Sequence, residues 1–121
     1  DWLPSDLFST TPGILEIPIT TLSLAGKSFP IAGGGYFRFL PYLVTKWGLR
    51  QINERECKPF VFYLHPWELD PLQPRVAEAS LKSRFRHYVN LNKTMVRFEN
   101  LLSSFEFSPI RETISQVIQT E

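Results

Sequence analysis

The chain has 121 residues, 43% apolar and 21% charged, with a net charge of +1. This length carries one small domain with a real core and is too short for two. The near-balanced charge gives no global electrostatic case for nucleic acid or an anionic membrane. Lone Cys57 excludes an internal disulfide, and no apolar run approaches the roughly 20 residues that span a bilayer.

The first residue is Asp1 and the only methionine is Met95, so the chain is expected to be a segment of something longer. No basic stretch followed by an apolar run stands at its start, so no signal peptide is visible. Residues 1–13, rich in Pro, Ser, Thr and Asp, read as an irregular entry or linker. Ile14-Leu15-Glu16-Ile17-Pro18-Ile19 alternates like a strand, and Pro18 confines it to an edge or a bulge. Thr21–Leu24 and Phe29–Ile31 flank Ala25-Gly26-Lys27-Ser28, a hairpin pattern. Gly33-Gly34-Gly35 then reads as a flexible loop where backbone approaches another segment or a ligand closely.

A helix follows, with Pro41 suited to its first position. Leu40, Leu43, Val44, Trp47 and Ile52 fall near one face, and Gly48 costs it about 1 kcal/mol relative to Ala. A charged loop over Asn53–Lys58 leads to Phe60-Val61-Phe62-Tyr63-Leu64, five apolar residues with the aromatic and β-branched content of a buried strand. Pro66, Pro71 and Pro74 then hold an extended loop. The basic, aromatic stretch Leu81–Asn90 fits no element cleanly. Leu91, Met95, Phe98, Leu101, Leu102 and Phe105 recur at helical spacing, with Asn90 or Asn92 as cap. Phe105-Glu106-Phe107 reads as a short strand. Ser108-Pro109 opens a last helix with Ile110, Ile114, Val117 and Ile118 as its stripe. The order of hairpin, helix, strand, helix, short strand, helix argues for an α/β fold with a largely parallel sheet. A unit this small leaves a strand edge unpaired, which suits part of a larger barrel or sheet.

The chemistry concentrates where the apolar run ends in His65-Pro66-Trp67-Glu68-Leu69-Asp70. In parallel α/β architectures this is the sheet edge that carries active sites. His65 suits general acid or base work near neutral pH, with Glu68 or Asp70 to orient it; the plainer reading is a histidine hydrogen-bonded in a loop. Trp67 offers a platform for a sugar ring or simply packs in the core. Tyr36 and Arg38 follow the glycines and suit a polar or anionic ligand, unless Arg38 only pairs with a carboxylate. The glycines match neither GxGxxG nor the Walker spacing. Arg84-Phe85-Arg86-His87-Tyr88 has the interleaving that stacks on nucleic acid or sugars, and a solvated surface explains it as well. The two histidines lie far apart in sequence and the cysteine is single, so no metal-binding spacing exists within the chain.

The ordered string Ile14-Leu15-Glu16-Ile17-Pro18, Gly33-Gly34-Gly35-Tyr36-Phe37-Arg38, Trp47-Gly48-Leu49-Arg50, Phe62 to Asp70 and Ser83 to Tyr88 resembles the C-terminal region of bacterial polysaccharide deacetylases. The similarity is to the branch linked to exosortase and exopolysaccharide loci. It implies a NodB-type fold, a distorted (β/α) barrel of which residues 14–121 form a part. It implies hydrolysis of acetyl groups on a sugar polymer, with a divalent metal, often zinc, polarising the carbonyl. It also implies that His65 is the late histidine that protonates the leaving group, that Asp70 orients it, and that Arg38, Tyr36, Trp67 and Glu68 contact substrate. The metal-binding Asp and His motifs and the base are not among these residues. The resemblance therefore implies that this chain holds no metal itself and is inactive alone.

The partners it implies are the acetylated polysaccharide and the remainder of the parent chain. Edge physics adds a second copy covering an open sheet edge. No nucleic acid and no membrane span are expected. An alternative of another class is a non-catalytic module that binds glycan or a protein partner, with Trp67, Tyr36 and Tyr88 as a sugar platform and His65 structural. A nucleic-acid contact through Arg84–Tyr88 is a third.

Overall fold

A tight antiparallel hairpin opens the described architecture. β1 (Thr21–Leu24) pairs with β2 (Lys27–Pro30), Leu22 opposite Phe29 and Leu24 opposite Lys27. The turn is shorter than the pattern suggests, because Ala25 at φ 49° and Gly26 at φ 75° reverse the chain by themselves. Two successive positive φ values give the mirror-image turn whose twist matches paired strands. The computed structural model describes residue 17, residues 19–76 and residues 78–119. The entry segment over 1–13 and the alternation from Ile14 to Pro18, apart from Ile17, lie outside the described residues.

Where the three glycines predict a loop, a helix begins. α1 (Gly34–Phe39) starts after Gly33, whose carbonyl accepts from the Phe37 N–H at 2.8 Å. α2 (Tyr42–Arg50) follows one residue after Pro41, which stands at the cap rather than in the first turn. The helix widens into a π-turn over Gln51–Arg55 that carries Ile52 into the core. Cys57, at φ 53°, turns the chain away.

The buried face of α2 is not its most apolar one. Thr45, Gly48 and Leu49 are buried, whereas Leu43 is 75% and Trp47 47% exposed. Close packing decides this. A Cβ at Gly48 would fall on the Ile31 side chain, so the missing side chain is what brings the helix against Leu22 and Ile31.

Residues 60–64 run extended, as expected, but do not join a ladder of any length. They make one parallel bridge, Tyr63 with Gly33, and the Val61 N–H donates to the Thr20 hydroxyl at 2.8 Å. The period of two survives in the packing: Phe60, Phe62 and Leu64 lie against the core while Tyr63 faces out. A 3-10 turn over Pro66–Leu69 follows. The unassigned basic stretch is helical, α3 (Leu81–Tyr88), capped by the Ser80 hydroxyl. α4 (Leu91–Ser104) buries Leu91, Thr94 and Leu101 and leaves Met95 and Leu102 largely exposed. Asn90 precedes it at φ 53° but makes no side-chain cap. The expected strand at Phe105-Glu106-Phe107 is an extended connector. Its two rings meet the edge of Phe60 at 5.1 and 5.7 Å, and that packing is what produces the alternation. α5 (Ile110–Gln119) closes the described chain, with the Pro109 carbonyl accepting from Glu112. The side chains of Val117 and Ile118 lie outside the described residues.

Leu22, Ile31, Ala32, Phe37, Leu49, Ile52 and Leu101 form one core from the hairpin, α1, α2 and α4. Among the described residues the architecture is helices around a two-stranded sheet. The (β/α) barrel is thus an expectation about a larger unit. Thr45 is fully buried, and its hydroxyl has no hydrogen-bond partner among the described residues. Thr45→Val is expected to stabilise the protein by about 1 kcal/mol. The urea midpoint should rise with an unchanged denaturant slope.

Candidate functional site

Two arginines and one carboxylate position the site. The Arg38 Nε donates to Glu68 Oε1 at 2.9 Å, with both side chains almost fully buried. The Arg38 Nη1 reaches the carbonyls of Arg86, His87 and Val89 at 3.3, 2.7 and 3.4 Å. These are carbonyls that the end of α3 leaves without helical partners, and a cation there also complements the helix dipole. Glu68 Oε2 accepts from the His65 N–H at 2.9 Å and so fixes the start of the 3-10 turn. Arg97, from α4, does for α1 what Arg38 does for α3: its Nη1 meets the carbonyls of Phe37, Arg38 and Leu40. The Asn90 amide donates to the Arg38 carbonyl at 2.8 Å instead of capping α4. Every hydrogen bond here joins segments far apart in sequence, apart from the one between Glu68 and His65.

Gly34 makes room for this arrangement. A Cβ at position 34 would fall on the Glu68 carboxylate, which cannot retreat without leaving Arg38. Arg38 thus pairs with a carboxylate, one of the two readings its place in the sequence allows, and each charge satisfies the other.

Trp67 is likewise engaged. Its ring lies parallel to His87 at 4.2 Å and to His65 at 6.0 Å between centroids. The Arg38 guanidinium carbon stands 4.9 Å from its centroid. An open tryptophan platform is therefore not what the structure presents, since the chain's own groups stack on the ring. His87 is held by Gln73, whose Oε1 lies 2.9 Å from the imidazole Nε2. The Gln73 amide in turn donates to the carbonyls of Trp67 and Asp70.

The His65 imidazole is exposed, edge-on to Tyr63 and stacked on Trp67. It borders a hollow of about 350 Å³ with Phe62, Leu64, Pro66, Leu69 and Phe98. Asp70 does not reach it. The Asp70 Oδ1 accepts from the Leu72 N–H at 2.9 Å, a local turn that uses the carboxylate. A groove of about 880 Å³, lined in part by Trp67, runs between α1 and α3. Tyr36, about half exposed, lies along it.

Residues 3–115 match the family described as Domain of unknown function (DUF3473). The chain belongs to the DUF3473 family. No curated protein and no solved structure matches it.

In this DUF3473 chain no three His, Cys, Asp or Glu side chains come together among the described residues. His65 and His87 both stack on Trp67, and Asp70 is used at Leu72. These donors do not fit a divalent metal. The sequence reading missed Arg97, Gln73 and His87 as shapers of the site. His87 was visible only as part of a basic, aromatic run. Arg97 and Gln73 carry no sequence signal, because their roles depend on backbone carbonyls that only the fold brings near.

Glu68→Gln would leave the Arg38 charge buried without its counter-ion. It is expected to cost about 3 kcal/mol or more. Gly34→Ala is expected to cost about as much by displacing the same carboxylate. Urea unfolding of both variants checks this; wild-type stability in either would remove the ion pair from its central place.

Proposed function

We propose that this chain is the C-terminal part of a bacterial polysaccharide deacetylase of the NodB type, acting on exopolysaccharide, and that His65 is its proton donor to the leaving group. The observation that carries the reading is the state of His65. Its ring is exposed and lies over Trp67, while its backbone N–H is pinned by Glu68 at 2.9 Å. A general acid needs this combination of a fixed backbone and an exposed ring that reaches substrate. The DUF3473 match supports the reading, since that family is known as the C-terminal region of polysaccharide deacetylases. The exposed apolar residues Leu43, Val44 and Trp47 on α2 support it too. A contiguous apolar surface of this kind is what the remainder of a larger domain would cover.

In this reading the divalent metal and the base belong to residues outside the chain. What these residues do is hold the imidazole at the end of an extended segment. Arg38, Glu68 and Trp67 are positioning residues for His65 rather than ligands of the substrate, and Asp70 shapes the loop that follows.

His65→Gln in the full-length protein is expected to lower kcat for acetate release by about 10²–10⁴. Because the ring is exposed, the thermal midpoint should stay near the wild-type value. Asp70→Asn should leave turnover close to wild type. Undiminished turnover in His65→Gln would end the assignment.

A further inference from the structure

The groove beside Trp67 has a one-sided chemistry. It is lined by Tyr36, Phe39, Trp67, Lys82, Arg86 and His87, with serine hydroxyls and, among the described residues, no carboxylate in its walls. α3 carries Lys82, Arg84 and Arg86 and no acidic residue, in a chain whose net charge is only +1. The positive charge is therefore local. Lys82 and Arg86 form no ion pair among the described residues. Arg38 contributes no further free charge, because Glu68 neutralises it. Tyr36 and Phe39 are each about half exposed and give the groove an aromatic wall.

Unpaired cations facing exposed aromatic rings suit a ligand that carries both negative charge and ring faces with apolar C–H surface. We propose that this groove binds an acidic oligosaccharide, its carboxylates at Lys82 and Arg86 and its rings against Tyr36 and Phe39. The saccharide part of this assignment rests on the deacetylase reading; the charge part rests on the groove alone. Trp67 lines the groove and stacks on His65, so a polymer lying in the groove passes close to that imidazole. The polysaccharide handled here is then a uronate-bearing one, selected at a distance from its acetyl group by charge. A single-stranded nucleic acid shares the features of charge and rings, but it requires a longer cationic track than one helix face provides.

The test is calorimetric titration of the wild-type protein with tri-galacturonate, its trimethyl ester, and hexathymidylate. Tri-galacturonate should bind, and its affinity should fall as salt is raised. The ester, the same sugar without charge, should bind about tenfold more weakly or worse, as should tri-galacturonate to the double variant Lys82→Gln, Arg86→Gln. Both side chains are exposed, so the circular dichroism spectrum and the thermal midpoint of the variant should match wild type. If the folded protein does not bind tri-galacturonate, the proposal fails. It fails equally if the ester binds as well as the acid, if the folded variant binds like wild type, or if hexathymidylate binds more tightly. Each of these failures leaves the His65 assignment to be judged by turnover alone, so the two readings fall separately.

Discussion

The buried pair of Arg38 and Glu68 is the interaction on which the rest of the site depends. Two charges taken out of water are costly unless their remaining hydrogen-bonding capacity is met. Here it is met almost entirely by backbone. Arg38 takes the open carbonyls at the end of α3, and Glu68 takes the amide of His65. One ion pair thus joins α1, the 3-10 turn and the end of α3. It needs Gly34 to exist, and it places Trp67 and His87 face to face. The functional side chains themselves make few bonds; their backbones make the bonds that hold them.

This division of labour separates two surfaces. One holds His65, exposed beside an apolar hollow. The other is the groove between α1 and α3, where the charged side chains among the described residues are cationic. The Trp67 ring lines the groove and stacks on both imidazoles. A side chain that could serve as a sugar platform or pack in the core is here the one that links His65 with the groove.

Much of the secondary structure is legible in the chain, and its faces are much less so. The hairpin, α2, α4 and α5 announce themselves by turn residues, caps and helical spacing. α1 is hidden because three glycines in a row read as a loop. Yet two of them, Gly33 and Gly34, serve the close approach of Tyr63 and Glu68. α3 is hidden because its stripe is basic and aromatic, with no face buried in the core. The α2 periodicity selects Leu43, Val44 and Trp47, but the hairpin packs on the face with the smallest side chains. Apolar spacing identifies a helix; which face is covered depends on what can come nearest. At the site, His65 and Trp67 could be singled out from their place after an apolar run. That Arg38 pairs with a carboxylate is legible as an alternative; that Glu68 is the partner and that α3 carbonyls complete it is not, because only the fold brings these groups near.

The reach of Arg38 has a kinetic meaning. Its partners lie 30 residues away at Glu68 and 49 at the His87 carbonyl, and Arg97 closes back on Phe37 across 60. Closing loops of such length costs entropy before the contacts repay it, which slows folding. The hairpin and the individual helices are local and can form early. Detaching the end of α3 would strip Arg38 of its carbonyls and Trp67 of its stacked His87 in one event. One local opening at that helix end would therefore undo the backbone contacts of the ion pair and one wall of the groove together.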